Sequence, residues 1–174
     1  MEKEFLISEL QKWDGKHTAF LKAVYTINNK NPLFIDDLIS IYSTNAELEH
    51  AATWLIKHHI DLGERLHKEK LGHLLKKLGK LNHWESQLHV LQLVPKVTIT
   101  QEHAQLIEPE VRKLLQSEKK FVKAVAYEAY FEVVKLFPEL NNEFLLICED
   151  AFEKESASVR SKLKKLITAM HKSM

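Results

Sequence analysis

The sequence predicts an all-α fold of about ten helices, and three observations lead to that prediction. Apolar residues recur at steps of three and four along nearly the whole chain, which is the spacing of one face of an α-helix. Only four glycines and four prolines occur among 174 residues, so the connections are short and a β-fold with many turns is disfavoured. Third, the pattern of apolar positions repeats along the chain with a period of two helices.

Glycine, proline and small polar residues divide the chain into helices of roughly 10 to 18 residues. A first helix is expected over residues 1–13 and a last one over residues 158–172, both amphipathic, as the terminal caps of a helical array must be. Thr100 offers a side-chain oxygen where a helix begins, and Gly63 can end a helix in the left-handed conformation. The remaining junctions are expected at 14–15, 28–32, 43–45, 79–82, 117–119, 138–142 and 155–158.

Four anchor residues at the expected helix starts recur at a nearly constant spacing. Leu48, Trp84, Val122 and Val159 are separated by 36, 38 and 37 residues. A period of that length with two helices per unit predicts a right-handed α-solenoid, in which antiparallel helix pairs stack on one another and share one core. The sequence therefore predicts a single domain over residues 1–174 with about four and a half units, of which four fall at 14–45, 46–81, 82–119 and 120–157.

Two junctions in the second half of the chain resemble those of a known repeat family. The run Pro109–Leu115 followed by Val122–Ala126 looks like the second helix of one HEAT repeat and the first helix of the next. Phe152–Ser158 followed by Val159 and Arg160 resembles the same junction. The resemblance implies a HEAT-like or armadillo-type α-solenoid, and it implies a groove that binds another macromolecule.

Charge is distributed unevenly although the formal net charge is only +1. Residues 57–80 carry seven Lys or Arg against three acids, and residues 132–155 carry seven acids against two lysines. A groove with a charged surface of this kind predicts a partner segment of opposite charge. The candidate partner-binding residues are the basic residues Arg65, Lys68, His73, Lys76, Lys80, Arg112 and Lys113, together with Tyr127 and Tyr42 as aromatic anchors outside the core.

Two functions compete for this surface. The first is a non-catalytic scaffold or adaptor that binds a segment of another protein along the solenoid groove. The second follows from a resemblance to HEAT-like DNA glycosylases that act on alkylated bases, which hold duplex DNA on a basic concave face. For that function Lys76, Lys80 and Arg112 would contact phosphates. The acidic segment 132–155 favours the scaffold, because it would repel a phosphate backbone.

Other chemistries have little support. The chain has no Gly-x-Ser-x-Gly, Gly-rich phosphate loop or Cys-x-x-Cys, so a non-catalytic function is favoured over an enzymatic one. Glu47 and His50, like Glu64 and His67, have the Glu-x-x-His spacing of di-iron ligands, but they are expected at a surface and no metal or other cofactor is predicted.

The single cysteine, Cys148, lies in an apolar run and is expected to be a small buried hydrophobe. No secretory signal or membrane-spanning run is apparent, which favours a cytoplasmic location. A monomer or a weak homodimer is expected, and the dimer would form through the last helix if Leu163, Leu166 and Met170 were left uncovered.

Overall fold

The computed structural model describes the structure of residues 3–173. Within that range it contains ten α-helices, three short 3₁₀ turns and no strand. The 3₁₀ turns lie at Leu78–Lys80, Val94–Lys96 and Pro138–Leu140. The helices are α1 (Lys3–Leu10), α2 (Thr18–Asn28), α3 (Phe34–Thr44), α4 (Glu49–Asp61), α5 (Lys68–Lys76), α6 (Trp84–Leu93), α7 (Gln101–Leu114), α8 (Lys120–Val134), α9 (Asn141–Lys154) and α10 (Ala157–Ser173).

The predicted helix boundaries agree closely with these bounds. Gly63 follows α4 and has a φ of +88°, so it ends that helix in the left-handed conformation that glycine adopts without strain. Thr100 is the N-cap of α7: its hydroxyl accepts a hydrogen bond from the His103 amide, and the His103 ring accepts one from the Thr100 amide. The prediction of an all-α fold is confirmed.

The first helix is the main correction to these boundaries. Its predicted range begins at residues 1 and 2, which lie outside the described residues, and it ends at Leu10 rather than at Trp13. The chain then turns at Asp14, whose carboxylate accepts hydrogen bonds from the amides of Lys16 and His17, each at 2.9 Å. This turn also requires the positive φ of Gly15, which is +78°.

The chain forms two compact units, residues 1–93 and 94–174. In unit 1, α3 packs against α1, α4 and α5, while α4 packs against α2, α3 and α6. The predicted inward face of α4 is buried throughout, from Leu48 through Ala51 and Ala52 to Leu55 and Ile56. Helix α4 is therefore the central helix of unit 1.

In unit 2, α8 packs against α7, α9 and α10. Its buried residues include Val122, Ala126, Ala129 and Val133, which recur at helical spacing and form the middle of the core. Helix α10 packs against α8 and α9 and buries Leu163, Leu166 and Met170 within the chain. The reason for expecting a dimer through the last helix is therefore removed, because its apolar face is already covered.

The predicted period recurs in the helix positions. Helices α4, α6, α8 and α10 begin at residues 49, 84, 120 and 157, at intervals of 35, 36 and 37 residues. Each of the predicted segments 14–45, 46–81, 82–119 and 120–157 contains two helices. Among the anchors, Leu48, Val122 and Val159 are buried, whereas Trp84 is only half-buried.

Most of the long-range hydrogen bonds have a similar spacing along the chain. Those that the structure describes between residues more than 30 apart span 31 to 37 residues. Tyr25 to His59 in unit 1 and Lys162 to Glu128 in unit 2 each span 34 residues. Within each unit, side chains therefore join positions about one helix pair apart. None of the described helices is long and apolar enough to span a membrane.

Candidate functional site

A group of cationic side chains surrounds a shallow depression of about 350 Å³ in unit 1. Its lining residues are Ser43, His73, Lys76, Lys77 and Lys80, which we call the α5 basic cluster. Three of the candidate residues from the sequence, His73, Lys76 and Lys80, are therefore brought together. The sequence did not single out Ser43 or Lys77, although Lys77 directly follows Lys76.

Helix α5 positions this cluster through its amphipathic pattern. Leu71, Leu74 and Leu75 face the core, so His73 and Lys76 are exposed on the opposite side of the helix. The chain then enters a 3₁₀ turn, in which the Lys80 amide donates to the Lys77 carbonyl at 2.8 Å. Lysines at this position are favourable because the C-terminal end of a helix carries partial negative charge.

Lys77 has a structural function within the cluster. Its Nζ donates to the Tyr42 carbonyl at 2.5 Å and lies 4.9 Å from the centroid of the Tyr42 ring. It is also 3.9 Å from Oε2 of Glu49. By contrast, no carboxylate among residues 3–173 is within ion-pair distance of Lys76 or Lys80, and both side chains are exposed. These two lysines are the members of the cluster that are available to a partner.

Glu49 is fully buried and lies close to Lys77 of the cluster. Its Oε1 accepts hydrogen bonds from the amides of Asn82 at 2.7 Å and His83 at 2.8 Å, just before α6 begins. A carboxylate at that position satisfies amides that have no partner inside the helix, and it complements the helix dipole. Glu49 thus joins the start of α6 to Lys77, and no signal in the sequence distinguished it from the exposed acids.

Two further candidates from the sequence lie close to α5 along the chain but outside the lining of the depression. Arg65 is exposed in the loop before α5, and Lys68 is exposed at the first position of that helix. Their participation in partner binding stays a prediction.

Arg112 is already paired with acidic side chains, and its participation in partner binding stays a prediction. Its guanidinium donates to Glu108 at 2.7 Å and to Glu143 at 2.5 Å, and it also bonds the Tyr130 hydroxyl. The hydrogen bonds that Arg112 donates to Glu143 and to Glu108 raise the pKa of Arg112, and the bond from Arg112 lowers the pKa of Glu143. Sequence reasoning placed Arg112 on a basic surface because its acidic partner on α9 is 31 residues away.

Lys113 lies next to Arg112 in unit 2 and is largely exposed. Its Nζ is 3.9 Å from Glu110, one helical turn earlier, which is a weak exposed pair. The Lys113 ammonium group is therefore only weakly paired, but it lies beside the acidic partners of Arg112.

The two aromatic anchors expected outside the core are both buried, so that interpretation of their position is wrong. Tyr127 is 2% exposed and lines a depression with Glu143, Asp150 and Glu155, and its burial raises its pKa to about 12. Tyr42 is fully buried, and its hydroxyl donates to the Leu74 carbonyl at 2.8 Å. Both residues follow the helical core pattern once the real helix boundaries are known.

The remaining chemical candidates are readily placed. Cys148 is fully buried and its burial raises the pKa of its thiol to about 12, so the prediction of a small buried hydrophobe is confirmed. Among residues 3–173, no three His, Cys, Asp or Glu side chains are grouped so that they could hold a metal ion.

Comparison of the chain with models of protein families, with curated protein sequences and with solved structures finds no match.

Proposed function

We propose that the protein is a non-catalytic interaction module in which the α5 basic cluster binds an acidic segment of a partner protein. One observation carries the proposal: Lys76 and Lys80 flank a depression, and the structure gives neither of them a carboxylate partner within residues 3–173. Other lysines of unit 1, such as Lys57 and Lys70, are paired with Asp61 and Asp36. An acidic side chain entering the depression would meet two charges that are not already neutralised.

The fold that we propose for this function is a right-handed HEAT-like α-solenoid. Three features support it: the 35- to 37-residue intervals between helix starts, the stepwise contacts of α3 and α4 with helices two positions along, and the hydrogen bonds spanning 31 to 37 residues. In such an array each helix pair buries its apolar face against its neighbours, and the exposed faces are free to vary. A cluster like that of α5 can then evolve without a change in the core.

Binding of duplex DNA is less well supported by the same geometry. Duplex DNA carries one charge per roughly 1.7 Å of its axis, so stable binding needs an extended series of free cations. Arg112 was expected to continue that series, but it is occupied by Glu108 and Glu143. The α5 basic cluster offers two free lysines, which suit the local negative charge of a peptide better than a long phosphate backbone.

The test is a titration, followed by fluorescence anisotropy, of two labelled probes: an acidic amphipathic peptide rich in Glu and Leu, and a short DNA duplex. We expect the wild type to bind the peptide and the K76E/K80E variant to bind it roughly tenfold more weakly or worse, because like charges now face each other. The matched control is K16E/K30E, which makes the same charge change at two exposed lysines outside the cluster.

A duplex that bound more tightly than the peptide would contradict the proposal. So would an equal loss of peptide binding in K16E/K30E, because net charge rather than the cluster would then determine affinity.

A further inference from the structure

A second crevice in unit 1, of about 270 Å³, is lined by aromatic rings and is separate in its lining residues from the α5 basic cluster. Trp13, His50 and His83 form its aromatic walls, and Glu47 contributes a carboxylate. The other lining residues are Leu10, Gln11, Gly15, Leu48 and Ala51. Neither lysine nor arginine lines the crevice.

The aromatic walls are held in place before any ligand arrives. The Trp13 indole Nε1 donates to the His17 carbonyl at 3.1 Å, across the turn that Asp14 and Gly15 form. Its ring centroid lies 4.8 Å from that of His50, and the two planes meet at 59°. Two rings at such an angle form a corner rather than a flat surface.

Contacts with neighbouring groups also hold the imidazole rings of His50 and His83 in place. His50 stacks on His83, with centroids 6.1 Å apart and an angle of 24°, and on His89, with centroids 5.4 Å apart and an angle of 20°. The His83 amide is bonded to buried Glu49, so the residue is attached to the core. Burial lowers the pKa of His50, so its ring is uncharged at neutral pH.

The electrostatics of the crevice favour a cation. Glu47 is exposed, and none of the cations among residues 3–173 lies within ion-pair distance of its carboxylate. The face of an indole attracts positive charge, and tryptophan is the best of the aromatic residues for this purpose. The volume is below the roughly 300 Å³ at which sites enclose a drug-sized ligand, so it suits one headgroup.

We infer that the crevice formed by Trp13, His50, His83 and Glu47 is a binding site for a trimethylammonium group. The methylated nitrogen is held against the Trp13 face and beside the Glu47 carboxylate. That chemistry is shared by a trimethylated lysine side chain and by choline. The inference does not depend on the function proposed for the α5 basic cluster.

The experiment is an NMR titration of the Trp13 indole N–H with three probes: a short peptide containing trimethyllysine, choline, and the neutral choline isostere 3,3-dimethyl-1-butanol. We expect the cationic probes to shift the Trp13 resonance and the isostere to bind at least roughly fivefold more weakly, because it lacks the charge. Saturation by the peptide alone would assign the site to a protein partner, and equal saturation by choline would assign it to the free headgroup. Either result supports the trimethylammonium assignment.

Three variants distinguish binding in this crevice from nonspecific binding elsewhere on the protein. W13A removes the indole signal, so its binding is followed through the resonances of the ligand, and it should weaken binding roughly tenfold, which corresponds to about 1.4 kcal/mol. E47Q changes an exposed side chain, is compatible with folding, and should weaken binding roughly two- to fivefold. W54F is the control, because Trp54 stacks on His58 outside the crevice. The inference is overturned if the isostere binds as tightly as choline, if no cationic probe shifts Trp13, or if E47Q binds like the wild type.

Discussion

His89 is the histidine whose protonation is most strongly coupled to the fold of unit 1. It is buried, and its Nδ1 lies 3.1 Å from the Thr53 hydroxyl oxygen. Because that hydroxyl donates to the His50 carbonyl, His89 Nδ1–H is the donor in the pair. Burial, followed by the neighbouring His50 and Lys57, lowers the pKa of His89 from 6.5 to about 3. The residue is therefore neutral in the folded protein throughout the physiological range.

This pKa shift predicts that the free energy of unfolding decreases as the pH falls. The unfolded chain binds a proton near pH 6.5 and the folded chain only near pH 3, so the stabilisation is fully present above pH 6.5 and is lost as pH falls towards 3. Between pH 7 and pH 5, His89 should remove about 2 kcal/mol from the free energy of unfolding. Urea denaturation at the two pH values measures this, and H89N should lose less stability than the wild type over the same range.

The control for that prediction is H73N, which alters an exposed histidine of the α5 basic cluster. It should retain the wild-type dependence on pH. Equal pH dependence in H89N and the wild type would show that the acid sensitivity arises elsewhere.

Individual side-chain contacts were the feature of the structure that the sequence predicted least well. His73, Lys76 and Lys80 were found because they lie close together along the chain, the first two on the exposed face of α5 and Lys80 in the 3₁₀ turn that follows, which is local information. The occupation of Arg112 by Glu143 was not found, because it depends on how two helices 31 residues apart are packed. Trp13 was expected inside a helix, and its position over His50 depends on the turn at Asp14.

At the scale of the elements, buried Glu49 connects α4, the 3₁₀ turn after α5 and the start of α6. It accepts two backbone amides and lies near Lys77, so its removal leaves both the amides and the ammonium group without their acceptor. A buried polar group deprived of its partner costs about 1 to 3 kcal/mol, and more when a charge is involved. The local order of α6 therefore depends on one carboxylate from α4.

We predict that E49A lowers the free energy of unfolding by about 3 kcal/mol, as measured by chemical denaturation. E47A, two residues earlier, removes an exposed carboxylate and should change stability by no more than about 0.5 kcal/mol. Similar effects of the two substitutions would contradict the assignment of Glu49 as the acceptor that organises the start of α6.

Element boundaries were highly predictable because they are encoded locally. The Asp61–Gly63 and Pro138–Asn142 junctions carry residues that stop helices or begin turns, and the structure has junctions at both. Cap chemistry at Thr100 was also predicted correctly. The first helix was predicted too long because its amphipathic pattern continues to Trp13 although the backbone turns at Asp14.

At the scale of the whole chain, α4 buries more residues than the other helices of unit 1, and α8 more than those of unit 2. Helix α4 packs against α2, α3 and α6, and α8 packs against α7, α9 and α10. Helix α5 buries only Leu71, Leu74 and Leu75, and α1 buries only Leu6 and Leu10. Local stability follows the number of buried apolar contacts, so it should differ strongly between these helices.

Native-state hydrogen exchange with mass spectrometry should therefore give the slowest exchange in α4 and α8 and much faster exchange in α1 and α5. The ratio of protection factors should exceed roughly tenfold, because buried helices open with free energies closer to that of global unfolding. Uniform protection across all ten described helices would contradict this ranking.

The all-α class and the 35- to 37-residue spacing could be predicted because both depend on the periodicity of apolar residues. The division into units 1–93 and 94–174 could not be predicted, because it depends on which helices contact one another rather than on any linker in the sequence. The partner could not be predicted from sequence alone either, since a charged exposed helix face has the same sequence pattern whether it contacts solvent or a partner.

The most direct test of the central proposal is capture of partners from the source organism's lysate by the tagged wild type, by K76E/K80E and by K16E/K30E, each with and without nuclease. We expect one protein with an acidic segment, recovered in near-equal amount by the wild type and K16E/K30E, unaffected by nuclease and lost with K76E/K80E. Nucleic acid that disappears on nuclease treatment without a stoichiometric protein, or a partner retained by K76E/K80E, would contradict the proposal that the α5 basic cluster binds an acidic protein segment.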